Sequence, residues 1–426
     1  MATISKKQGS HLGLAFGFAA ISSAVIVAVA PMLFDAPSYA AFMVFWGVMF
    51  TFSGVLTGFN LEATRAISAA SVAEGAESAN VATGAGGTET IGSELNATAG
   101  PRVVWVAAAL TLILSVLVAA TAVWWGPVQF PAYALPLAFV VAFGVAGCGI
   151  YMAVGGALAG SGRWSFYAGQ ISVYAGLQLV LVVLITLFTH SVVAAAFAVT
   201  LSFLVGVALL TVSPAARAAA AIRTNAPLRT LLLQFGAAAL ASGASAVLVI
   251  GFPALIALTT SREIIETAGP LFLALTLTRA PLMIPLNAVQ GVVVSHFAKQ
   301  RAQGLKALLP IILIALIVGG VAIAGAWALG PWLLKVIWGP AFIVNGPTLG
   351  ALTAGATTLA VITLTGAVCQ SLTLHKAFVL GWVVSVVLAV ALLFLPLPLM
   401  VRAPLALAVG PLAGIVIHLV ALQRAR

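Results

Sequence analysis

The sequence is a succession of apolar runs, each of roughly 20 residues or more, separated by short connections that hold nearly all of the charge. Crossing a hydrocarbon core of about 30 Å takes about 20 apolar residues in helix, and the same core supplies no water to unpaired backbone groups. Open sheets are therefore excluded, and a bundle of membrane-spanning helices follows. Composition agrees: of 426 residues, 63% are hydrophobic and 6% are charged, and the mean hydropathy of +1.21 rules out a water-soluble globule.

Segmenting at charges, prolines and polar clusters predicts spans near 12–33, 40–61, 103–125, 132–157, 166–188, 191–211, 231–257, 269–291, 307–329, 345–370, 377–397 and 403–422. Lys6 and Lys7 ahead of an apolar run, with Ser38-Tyr39-Ala40 beyond it, resemble a secretory signal peptide. The run from Leu12 to Phe34 exceeds the roughly 7–15 residues of such an apolar region, so it is read as an uncleaved first span.

Positive charges retained on the cytoplasmic side give the direction. One set of alternate connections and ends collects Lys6, Lys7, Arg65, Arg102, Arg163, Arg217, Arg223, Arg229, Lys299, Arg301, Lys306, Lys376, Arg424 and Arg426. The other holds only Arg262, Lys335 and Arg402, so both termini are expected in the cytoplasm. Trp124, Trp125, Trp332 and Trp338 near span ends fit an interfacial aromatic belt. The net charge of +10 is scattered between apolar runs, which points to topology and anionic membrane lipids, and away from nucleic acid.

An even number of spans divides into two six-helix bundles, 1–212 and 230–426, joined by a basic cytoplasmic linker, 213–229. Ser23-Ala24-Val25-Ile26-Val27 followed by Pro31 matches Ser245-Ala246-Val247-Leu248-Val249 followed by Pro253, at the openings of the two halves. Halves of six spans share one orientation, so they are related by an axis along the membrane normal, with substrate expected near the midplane between them. Residues 71–100 carry Glu74, Glu77, Glu89 and Glu94 among Ala, Gly, Ser and Thr, and are expected to be a disordered cytoplasmic loop, either a tether or a docking segment for a partner enzyme.

Arg279 is the one formal charge expected deep inside a span, where it must face protein or a wet cavity. Thr276, Arg279, Met283, Asn287 and Gln290 share one helix face by their spacing, and Thr51, Gly54, Gly58, Glu62 and Arg65 share a comparable face of the second span. Together these two faces form the candidate substrate-binding surface, with Arg279, Thr276, Asn287, Gln290, Thr51, Glu62 and Arg65 as its polar groups. Pro281 and Pro285 interrupt the backbone ladder and are candidate gating positions. The bland alternatives are an arginine that caps carbonyls between helices, and an interfacial ion pair between Glu62 and Arg65.

No Asp or Glu is expected deep in any span, no phosphate-binding loop occurs, and neither Cys148 and Cys369 nor the scattered histidines form a metal or nucleophile constellation. The expectation is a protein that is not an enzyme and takes no cofactor. An unaccompanied arginine suits an anionic group such as phosphate.

Several stretches resemble the polysaccharide-export branch of the multidrug/oligosaccharidyl-lipid/polysaccharide (MOP) flippase superfamily. They are Pro37-Ser38-Tyr39-Ala40-Ala41-Phe42, Gly156-Ala157-Leu158-Ala159-Gly160-Ser161-Gly162-Arg163, Leu275-Thr276-Leu277-Thr278-Arg279-Ala280-Pro281-Leu282 with Ser295-His296-Phe297-Ala298, and Trp338-Gly339-Pro340-Ala341-Phe342. The resemblance implies two bundles in a V, alternating access, and a cavity lined by the first, second, seventh and eighth spans. It further implies a lipid-linked glycan substrate whose diphosphate meets Arg279, and a bacterial-type cytoplasmic membrane. Glycosyltransferases or a glycan polymerase would then be partners. Drug export within the same superfamily and a non-transporting scaffold for glycosyltransferases are the alternatives.

Overall fold

The computed structural model describes residues 6–82, 100–283, 305–372 and 374–424. The first half comprises α1 (Lys6–Leu33), α2 (Ala36–Ala82), α3 (Val103–Ala120), α4 (Ala122–Gln129), α5 (Ala134–Gly160), α6 (Trp164–Thr189), α7 (Val192–Leu201), α8 (Val205–Val212) and the short α9 (Pro214–Ala221). The second comprises α10 (Leu228–Val249), α11 (Phe252–Leu258), α12 (Arg262–Glu266), α13 (helical over 269–283), α14 (Leu305–Trp338), α15 (Gly346–Ser371), α16 (His375–Leu393) and α17 (Leu399–Arg424). Among the described residues, 11 helical segments are long and apolar enough to cross a membrane. α13 coincides with the span expected at 269–291, of which residues 284–291 lie outside the described residues.

Helix contacts concentrate within each half: α5 packs on α2 and α3 and α6 on α1 in the first, α17 on α15 and α16 and α14 on α15 in the second. The α2–α5 pair shows why the sequence folds this way. Asn60 Nδ2 donates to Met152 O at 3.0 Å, Thr64 Oγ1 to Gly156 O at 3.2 Å and Ser68 Oγ to Gly160 O at 3.1 Å. Each donor lies one helical turn after the last, and each acceptor does likewise, so the register is fixed along three turns. Gly156 and Gly160 allow the approach, since an added Cβ would press on Asn60 O and Thr64 O. The small-residue turn of the sequence is thus the face on which α2 lies.

The halves meet along a seam between α2 and α10, extended by α11 and α12. A Cβ at Gly58 would collide with the backbone of Ala238, and one at Gly54 with Cβ of Ala246. Phe59 meets Phe235 edge-on with ring centroids 5.0 Å apart. The linker is tied to the first half: Ser213 caps α9, Arg163 Nη1 donates to Ala215 O at 2.9 Å, and Thr224 N donates to Pro101 O at 3.2 Å.

Three expectations change. The seventh span is not one helix to 257, because α10 ends at Val249 and the chain restarts as α11 after Ile250 and Gly251. The third span stops at Ala120, and Trp124 and Trp125 belong to the short α4 that follows Thr121. Residues 71–82 of the expected loop continue α2 as helix, while 83–99 lie outside the described residues. The matched Ser-Ala-Val segments also diverge: the first sits in an unbroken α1 that contains Pro31, the second runs into the α10–α11 break.

Candidate functional site

The break between α10 and α11 gathers two of the expected site residues from opposite halves. Arg279 projects from α13, is 9% exposed, and donates from Nη1 to Val249 O at 3.1 Å, a carbonyl of the last turn of α10. Its Cζ lies 5.3 Å from the centroid of the Phe252 ring, at the start of α11. The frayed end of α10 exposes carbonyl oxygens that no further helical N–H reaches, and the partial negative charge at a helix C-terminus suits a guanidinium. From α2, Thr51 reaches the same place, since a Cβ on Gly251 would collide with Thr51 Oγ1. The Thr51 hydroxyl itself donates to Gly47 O at 2.6 Å.

Arg279 is only partly tied off. Nε and Nη2 are buried and make no hydrogen bond with the protein. A buried donor left unmade costs about 1–3 kcal/mol, and more on a charged group, so the protein does not by itself satisfy this guanidinium. Among the described residues, the one buried carboxylate is Glu62. It is already engaged: Arg65 Nε and Nη2 reach its two oxygens at 2.8 and 2.6 Å. Glu62 is 6% exposed whereas the Arg65 side chain is 54% exposed, so this ion pair, one turn apart within α2, reaches from its packed face to its open side.

The structure therefore brings Thr51 and Arg279 together and leaves Glu62 and Arg65 as a pair with each other. Thr276, one turn before Arg279, donates its hydroxyl to Phe272 O at 3.0 Å within its own helix. Pro281 is exposed on α13, which stays helical across it to residue 283. Asn287, Gln290 and Pro285 lie outside the described residues. The face of α2 expected to line a cavity is covered instead: Gly54 and Gly58 are packed against α10, because only hydrogen atoms stand between the two backbones there.

Two buried ionisable residues, Arg402 and His418, lie outside the candidate faces named from the sequence. Arg402, expected in an outer connection, is 9% exposed and holds Leu393 O at 2.6 Å, Thr259 O at 3.3 Å and Thr260 Oγ1 at 2.9 Å. It fastens the start of α17 to the α11–α12 turn. His418, fully buried, lies 3.0 Å from Thr365 Oγ1 through Nδ1 and 3.4 Å from Phe378 O through Nε2, linking α15, α16 and α17. Both were masked as signals: one looks like a topology charge, the other like a lone polar residue in an apolar run.

A small cavity of about 80 Å³ opens in the seam near the α1–α2 turn, lined by Pro37, Ala41, Val44, Gln129, Tyr133 and Glu266 among others. Groups of His, Cys, Asp and Glu able to hold a metal ion are absent among the described residues.

These features define a multi-pass α-helical membrane protein with the fold of the MOP-superfamily transporters. A multidrug transporter of the MATE family in its inward-facing conformation superposes with a TM-score of 0.66 over 97% of this chain and 96% of its own, at 17% identity. The outward-facing form of such a transporter gives 0.62 over 98% and 95%, at 18% identity. A MOP-superfamily transporter from Pyrococcus furiosus, described by a reverse polarity of its binding pocket, gives 0.62 over 99% and 96%, also at 18% identity. No family model matches the sequence.

The chain belongs to the family of the uncharacterized protein Rv3630 of Mycobacterium tuberculosis, with which it is 32% identical over 418 residues, 97% of this chain and 92% of the relative. The uncharacterized protein Mb3654 of Mycobacterium bovis matches to the same extent. A second relative, Rv1510 of Mycobacterium tuberculosis, is 40% identical over 288 residues, which span 67% of this chain and 66% of that protein, a little under two thirds of its length.

Proposed function

We propose that the protein is an alternating-access flippase that moves a lipid-linked oligosaccharide, or a related cell-envelope precursor carried on a diphosphate lipid, across the bacterial cytoplasmic membrane. The observation that carries this reading is the Arg279 guanidinium: buried beside the break in the seventh span, with two donors unspent and no free carboxylate among the described buried residues. A planar fork of that kind matches a phosphate oxygen pair. The polyprenyl tail of such a substrate would stay in lipid while its charged head crosses between bundles 1–212 and 230–426. In this reading the termini are cytoplasmic, and glycosyltransferases or a glycan polymerase act before or after the transport step.

Depletion of the protein in its host tests this. Lipid-linked glycan should accumulate on the cytoplasmic leaflet while surface glycan falls; unchanged amounts on both sides would overturn the proposal.

The likeness to multidrug transporters favours a second reading, export of a small drug-like molecule. A cationic drug would meet an unneutralised arginine, which disfavours that class of substrate. Drug hypersensitivity on deletion, with glycan lipids at their normal level, would replace the first reading by the second.

A further inference from the structure

Two aromatic turns meet where α1 passes into α2. Trp338 ends α14, and its indole Nε1 donates to Ala28 O of α1 at 2.7 Å. Four residues on, Phe342 meets Tyr39 of α2 edge-on, with centroids 5.7 Å apart and planes at 80°. Gly339 lies between them at φ 83°, a left-handed conformation that a side chain disfavours, and the reversal there turns both rings of this short segment toward the first half.

Pro31 prepares the surface they meet. Proline has no N–H, so Val27 O, four residues earlier, loses its helical donor. The Tyr39 hydroxyl lies 3.5 Å from that oxygen and supplies a replacement from within the first half. Ala28 O, the next carbonyl along, is the one that accepts from Trp338. The helix stays continuous across Pro31, one carbonyl is met by its own half, and the neighbouring one also accepts from the other half.

The same end of the seam holds two more crossings. Gln129 Nε2 donates to Ala254 O at 3.4 Å, and Gly269 packs against Ala36 O closely enough that a Cβ would strike it. These crossings are neutral and, beside the packing of α11 and α12 on α2, none forms a run of hydrogen-bond rungs like the one that welds α2 to α5.

We propose that Trp338 and Phe342 form a releasable latch against Ala28, Pro31 and Tyr39, holding the two halves shut at this end, which the charge pattern assigns to the outside. The inference rests on the alternating-access reading above. At the latch itself release breaks one hydrogen bond and one ring contact, and opening this end also parts the Gln129–Ala254 hydrogen bond and the Gly269–Ala36 packing. Val27 O keeps its Tyr39 partner throughout, and the freed indole sits at a span end where tryptophan is at home in the interface.

The test uses the full-length protein in right-side-out vesicles with Ala40→Cys as reporter, a buried position next to Tyr39 that also lines the small cavity, and a membrane-impermeant maleimide. Trp338→Phe keeps an aromatic ring and removes the donor; labelling should rise about fivefold, the population change equivalent to losing one neutral hydrogen bond of about 1 kcal/mol. Phe342→Ala should raise it as well. Trp332→Phe, on the same helix with its ring exposed, should leave labelling at the parent level. Unchanged labelling in Trp338→Phe, with the protein eluting from detergent columns like the parent, overturns the latch, as does an equal rise in Trp332→Phe. Labelling needs no substrate, so the two readings fail separately: a wild-type protein that moves no diphosphate lipid while Trp338→Phe still opens this end would leave the latch standing and remove the transport proposal.

Discussion

The Arg279 guanidinium stacks over Phe252 at 5.3 Å, so the cation of one helix is held by the ring that opens the next helix of the broken seventh span. A desolvated contact of this kind contributes from about 0.5 to 2 kcal/mol. Phe252→Leu keeps an apolar side chain and removes the π face. It should lower the melting temperature of the detergent-solubilised protein and raise the apparent KM for substrate, because the guanidinium loses the surface that orients it. Identical melting and transport curves would show that the ring only fills space.

Arg279→Lys separates charge from shape. Lysine keeps the positive charge but loses the planar fork, and one charge-assisted hydrogen bond of about 1.5–3 kcal/mol corresponds to a loss of about tenfold or more in affinity. The predicted order in a transport assay is Arg, then Lys, then Ala. A lysine variant as active as the parent would mean that only net charge matters.

Gly58 is predicted to be intolerant of any side chain, since a methyl group there meets the Ala238 backbone rather than a side chain that moves aside. Overpacking of this sort costs about 1–3 kcal/mol. Gly58→Ala should reduce thermal stability by that order, and Gly58→Leu should prevent the α2–α10 seam from forming. Fluorescence-detected size exclusion of the two variants checks this. Monodisperse, fully stable Gly58→Leu would show that α2 and α10 are not packed as described.

Glu62→Gln leaves the half-exposed Arg65 without its bidentate partner but close to water, so the loss of stability should be small. If the pair is structural, Glu62→Gln and Glu62→Gln/Arg65→Gln should both transport at the parent rate. A transport defect in both, at normal stability, would return these residues to the substrate pathway.

Much of the architecture was legible because lipid admits so few solutions: the apolar run lengths give the helices and their approximate ends. The seventh span misled because Gly251 and Pro253 sit inside an apolar run whose hydropathy does not register a break. Arg279 was legible as an expensive charge, but its partners were not, since carbonyl acceptors and a ring face carry no sequence label. The stripe Thr51, Gly54, Gly58, Glu62 and Arg65 suggests a cavity wall, whereas Gly54 and Gly58 lie against α10; small residues in a membrane helix more often mark where another backbone lies against them. Trp338 and Phe342 stood out as a short motif, yet only the fold shows what they touch.

The most direct measurement is translocation by purified protein in liposomes, using a fluorescent short-chain undecaprenyl-diphosphate glycan and following its access to an impermeant quencher. Wild-type protein should move it, and Arg279→Ala, folded and inserted to the same extent, should lose at least about ten times the rate, the scale of one charge-assisted contact. Equal rates for the two proteins, or no movement by either while a drug-like cation is exported, would contradict the account.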